Sequence, residues 1–132
     1  MPALESNPHI SQEEILRHVT LCCRALDAKK AENIVVLDMR GTLAITDYFI
    51  IATGTSAPHL RALFREMDAL LSPLGYLIHS KDKSHNSGWV AVDAIDFVIH
   101  IFEEDERDFY SLERLWKDAP EVTIDYAGET QS

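Results

Sequence analysis

Ser56 stands three residues before His59 in the stretch DYFIIATGTSAPHLRALF (47–64), and a hydroxyl beside an imidazole is a pairing that nucleophilic catalysis uses. The same stretch passes from an apolar run through Gly54-Thr55-Ser56 into a helical pattern. That is the strand, small-residue loop and helix layout with which proteins hold a phosphate. Both chemistries demand more than is present. The loop has one glycine and no lysine, so it makes a weak phosphate cradle, and Ser56 is explained as the cap of the next helix beside a solvent-facing His59. Nucleotidyl transfer also needs two carboxylates on one face of the following strand, to hold two Mg²⁺ ions about 4 Å apart. The strand expected there, YLIHS (76–80), contains neither Asp nor Glu. Asp93 and Asp96 flank a tight turn instead, where Asp side chains cap the backbone.

Metal and thiol chemistry find no better footing. The six histidines, at 9, 18, 59, 79, 85 and 100, show no HExxH or paired ligand spacing. His100 lies inside the apolar run FVIHI and is expected to be buried and hydrogen-bonded. Cys22 and Cys23 are neighbours on a helical pattern, where side chains diverge by about 100°, so they read as small packing residues. They build no disulfide framework, which fits a reducing compartment. We assign no catalytic residue, no metal and no cofactor from the sequence.

The elements that would position these groups follow from periodicity. Ser11 with Glu14 has the form of a capping box, and Ile15, Val19, Cys22 and Leu26 recur at helical spacing over 11–28. NIVVLD (33–38) and DYFIIAT (47–53) read as strands. A second helix starts at Ser56, buries Leu60, Leu63, Phe64, Met67 and Leu71, and ends at Pro73 and Gly75. Three more strands are expected at 76–80, 89–93 and 97–101, the last two as a hairpin after the polar loop KDKSHNSG (81–88). A short C-terminal helix should carry Phe109, Leu112, Leu115 and Trp116 on one side and stop at Pro120. The fold class is α/β: a mixed sheet of about five strands, two main helices and that short helix. Residues 1–120 form one domain, and 121–132 are expected as a flexible tail.

IVVL, FIIA and FVIHI are apolar at consecutive positions, so both faces of the sheet require cover. Two helices cover one face. The C-terminal segment and a second protein are expected to share the other. The 132 residues carry a net charge of −10, and it is unevenly placed. Residues 1–92 hold nine Lys/Arg against ten Asp/Glu, whereas residues 93–132 hold three against twelve. Such a surface repels nucleic acid and favours a basic protein partner. The start MPALESNPHI lacks the pattern of a secretory signal, and no apolar run reaches the ~18 residues of a membrane span, so a cytoplasmic chain without a membrane segment is expected.

Trp89 opens a strand directly after the polar loop, Arg107 is the one base among five acids at 103–108, and Tyr110 follows closely. Trp, Tyr and Arg dominate interface energetics when desolvated. With Val90, Ala91 and Lys81 they form the candidate partner-binding set. Two internal roles stay open at this point: Trp89 as core, and Arg107 as a tether to Asp93 or Asp96 across the hairpin.

ITDYFIIATGTS together with GWVAVDAIDFVIHIFEEDERDFYSLERLWKDAP resembles the ribosomal silencing factor family, which includes the plant Iojap relatives; the resemblance spans 11–120. It implies a nucleotidyltransferase-like topology without the catalysis. It also implies a translational repressor that docks on the large ribosomal subunit, against the basic ribosomal protein uL-fourteen, and obstructs joining of the small subunit. A homodimer in the free state is implied as well. The chain departs from the family after the third strand, where HSKDKSHNSGW replaces an acidic Glu-Gly feature and a shorter loop. Lys81, Lys83 and His85 there could reach ribosomal RNA at the edge of the site. The alternatives are a degenerate nucleotide-binding protein and a homodimeric module without ribosome binding.

Overall fold

The computed structural model describes residues 11–42, 44–80 and 88–126. Helix α1 (Gln12–Ala28) starts where the Glu14 amide donates to Ser11 Oγ at 3.1 Å, and helix α2 (Ala57–Leu71) where the His59 amide donates to Ser56 Oγ at 3.2 Å. Both caps are the ones the sequence places, because a short side-chain oxygen satisfies an amide that the first helical turn leaves open. Strands β1 (Glu32–Asp38), β2 (Tyr48–Gly54), β3 (His79–Ser80), β4 (Trp89–Asp93), β5 (Phe97–Glu103) and β6 (Glu121–Val122) form one sheet in the order β3-β4-β5-β2-β1-β6. β2 and β5 run parallel, joined through α2 and the β3–β4 segment, and the other neighbours are antiparallel.

The sheet has two unlike faces. Ile15, Val19, Cys22 and Leu26 of α1 and Leu60, Leu63, Met67 and Leu71 of α2 pack on one, against Ile50, Ala52, Val90, Val92, Phe97, Ile99 and Ile101. Alternation along β5 then puts Phe102 on the other face with Leu37, Met39 and Ile51. There the cover is thin. Helices α3 (Glu104–Tyr110) and α4 (Leu112–Leu115) and the chain to Ala119 lay Leu112, Trp116 and Ala119 across it.

Four expectations need correction. The third strand shrinks from 76–80 to His79–Ser80, because Tyr76 turns its ring into the core and its hydroxyl to His18 Nδ1 at 2.6 Å. The C-terminal helix is two helices, broken at Ser111, whose φ of 50° is left-handed. The break takes Phe109 and Leu115 off the buried stripe and leaves both exposed. The tail does not fray at Pro120: the Pro120 carbonyl accepts from the Asp38 amide at 2.8 Å, and Val122 pairs with Val36 as an edge strand. The rest of the expected tail, 127–132, lies outside the described residues, as do 81–87 of the polar loop.

Candidate docking face

Gly54 explains why the phosphate-like turn exists. It is the last residue of β2, and a Cβ built on it would come within 2.8 Å of Leu60 Cδ2, so glycine lets α2 sit tightly on the sheet. Ser56 and His59 are likewise spent on structure. Thr55 N–H donates to His59 Nδ1 at 2.9 Å, and His59 Nε2 lies 2.7 Å from the Lys29 carbonyl, tying the end of α1 to the start of α2. His59 is therefore half-buried and engaged rather than solvent-facing. Asp93 behaves as expected, its Oδ1 accepting from the Ile95 amide at 2.9 Å.

A cavity of about 270 Å³ does open at the carboxyl ends of β2 and β5, where α/β folds bind ligands. Its walls are Glu32, Thr53, Gly54, Thr55, Glu103, Glu104, Asp105 and Glu106. Five carboxylates line the place a nucleotide's phosphates would need, and without a bridging cation their charge opposes that ligand. Among the described residues no group of His, Cys, Asp and Glu is arranged to hold a metal ion. Burial pushes both thiols up, Cys23 to about 12, which leaves them protonated and inert.

Next to this cavity the aromatic side chains gather. Trp89 stacks on Phe102 with centroids 5.1 Å apart and meets Tyr110 at 4.6 Å, and Tyr110 meets Phe109 edge-on at 5.1 Å. Trp89 is half-buried, Tyr110 is 40% exposed and Phe109 is 80% exposed. Gly88, just before the strand, has φ of 73°, and a Cβ there would press on the Glu106 side chain at 2.7 Å. Helix α3 follows directly on β5 and brings Tyr110 against Trp89, and it also carries the exposed Glu104, Asp105 and Asp108.

Arg107 holds α3 in place. Its guanidinium grips Glu113 with both arms, Nε to Oε1 at 3.0 Å and Nη2 to Oε2 at 2.9 Å. Nη1 donates to Thr53 Oγ1 and to the Asn33 carbonyl, each at 2.7 Å. With its side chain 11% exposed, Arg107 is a tether, although to Glu113 and the sheet rather than to Asp93 or Asp96. Alternation along β4 also revises the candidate set. Val90 is buried on the helix side of the sheet and Ala91 is buried on the other, so neither is presented to a partner. Lys81 lies outside the described residues.

His100 sits beneath Trp89 as the expected buried histidine. The indole Nε1–H donates to its Nδ1 at 3.2 Å, and Phe49 packs edge-on at 4.7 Å. The imidazole proton is thereby assigned to Nε2, which is buried and has no hydrogen-bond partner. Burial lowers the imidazole to about 4, with Asp93 opposing in part. A histidine depressed below its ordinary range takes a proton in the unfolded chain first, so stability falls as pH drops from about 6.5 towards 4. We expect a loss of ~3 kcal/mol across that window, read from urea midpoints, and a shallower slope in His100→Gln.

The family model for the ribosomal silencing factor during starvation, RsfS, matches residues 12–132, which spans both sheet faces and the whole of the aromatic end. The chain belongs to the ribosomal silencing factor family. A ribosomal silencing factor RsfS of Bacillus subtilis is 37% identical over 117 residues, covering 89% of this chain and 97% of the relative. A crystal structure of a Chromobacterium violaceum protein superposes with a TM-score of 0.73 at 32% identity, over 86% of this chain and 96% of that one. A mouse protein named for mitochondrial assembly of the ribosomal large subunit is 33% identical over 97 residues, 69% of this chain and 41% of its own length. Sequence reasoning missed the exposure of Phe109, which depends on the Ser111 break, and the pairing of Glu113 with Arg107 across that same break.

Proposed function

We propose that this silencing factor binds the large ribosomal subunit, through the basic ribosomal protein uL-fourteen, and blocks association with the small subunit by occupying the surface it must touch. The observation that carries the reading is the ring cluster of exposed Phe109 and Tyr110 on half-buried Trp89, beside a crevice lined by five carboxylates. Rings supply the desolvated anchors of an interface, and a rim of negative charge steers a basic partner into register. Repression of this kind breaks no bond and needs no cofactor, because occupancy alone sets the effect. Among the described residues no helix is long and apolar enough to cross a membrane. In the free state the exposed Phe109 and Leu115 offer a homodimer its contact.

Sedimentation of the purified protein with isolated large and small subunits, in moderate and in high salt, tests this. We expect co-migration with the large subunit alone, weakened by salt. Protein remaining at the top of the gradient in both conditions refutes the reading.

A further inference from the structure

At the opposite end of the sheet from Trp89 stands a second exposed apolar group. Ile45 is fully exposed, Ile95 is 60% exposed and Leu77 is 78% exposed. The first two sit on loops bonded together: Thr46 Oγ1 donates to the Ile95 carbonyl and the Asp47 amide to the Asp96 carbonyl, both at 3.0 Å. Leu77 belongs to the same end, because His79 pairs antiparallel with Asp93 and the residues before β3 run towards the Ile95 turn.

Ile95 is held in an unfavourable conformation. Its φ of 71° lies in the left-handed region, which crowds a β-branched side chain and which glycine enters freely. The turn itself is built by the Asp93 carboxylate on the Ile95 amide and by the Ala94 amide on the Phe97 carbonyl, neither of which uses the isoleucine side chain. A strained residue whose side chain points largely into solvent contributes little to the core, and strain of this kind marks functional positions.

Charge selects the occupant. Asp47 and Asp93 lie on this edge, while Asp38 and Arg40 offset each other in an ion pair at 2.7 Å. Phosphate backbones and anionic lipid are repelled. A second copy of the chain would set the same two carboxylates against themselves. We propose that Ile45, Leu77 and Ile95 form a second docking surface, for a basic protein segment of the large subunit that carries apolar side chains. The factor is then held at both ends of its sheet, an inference that rests on the silencing reading above.

The test places a benzoylphenylalanine cross-linker at position 45 and, separately, at position 109, and irradiates each with purified large subunits. We expect position 109 to capture the protein on the Trp89 face and position 45 to capture a basic ribosomal polypeptide. Capture at 109 with only RNA, only a second copy of the chain, or nothing at 45 overturns the second surface and leaves the first. Silence at both positions removes the silencing reading and the second surface with it. Ile95→Gly supplies an independent readout: the melting temperature should rise as strain is relieved, while affinity for the large subunit falls about tenfold. Unchanged affinity, or a lower melting temperature, overturns the proposal.

Discussion

Arg107→Ala is expected to unfold in urea at a clearly lower midpoint, about 3 kcal/mol less stable, and to lose on the order of 100-fold in affinity for the large subunit. The stability loss follows from what is left behind. Thr53 Oγ1 and the Asn33 carbonyl lose a donor, and Glu113 keeps a half-buried charge without its partner. Removing one member of a buried pair costs ~3–5 kcal/mol, and the partial exposure of Glu113 puts this site at the lower end. The affinity loss is indirect. Without the tether, α3 no longer holds Tyr110 against Trp89, and the ring cluster loses its shape. Arg107→Lys should recover little of either, since an ammonium cannot grip a carboxylate with two arms while donating to Thr53 and Asn33. Full affinity in Arg107→Ala would show that α3 plays no part in docking.

Trp89→Ala should separate the two properties differently. Its ring packs on Phe102, Tyr110 and His100 at the sheet's end, while the main core lies on the helix side of the sheet and does not include it. The variant should stay folded, lose about 2 kcal/mol from the truncated stack, and lose at least about 100-fold in affinity. Gradient sedimentation and urea denaturation on the same preparation give both numbers. An unfolded variant would move Trp89 from anchor to core, and unchanged affinity would remove it from the interface.

Much of this was readable in advance where local rules decide. The caps at Ser11 and Ser56, the buried stripes of both helices (apart from Phe64, which is only half-buried) and the apolar strands follow from spacing and side-chain chemistry over a few residues. Trp89 and Tyr110 stood out by residue type. What escaped depends on distant partners or on parity. Val90 was grouped with Trp89 as a neighbour in sequence, yet adjacent strand residues point to opposite faces. For Arg107 the sequence leaves open a partner contact or a tether to Asp93 or Asp96, because Glu113 comes within reach only through the left-handed Ser111. The short edge strand at Glu121–Val122 has no periodicity of its own and exists because β1 offers it an open edge. His18 was legible as part of a helix and not as the partner of Tyr76, which lies 58 residues away.

The order of elements along the chain bears on when the factor becomes active. Everything that shapes the docking end beyond Trp89, namely α3, the Arg107 tether, Glu113 and the closing strand β6, follows all five other strands and both long helices. A nascent chain can therefore assemble its helix-covered core while Trp89 and Phe102 still lack Tyr110, which is synthesised after them. The ring cluster is thus completed only after the core beneath it can form, so folding of the core does not depend on it.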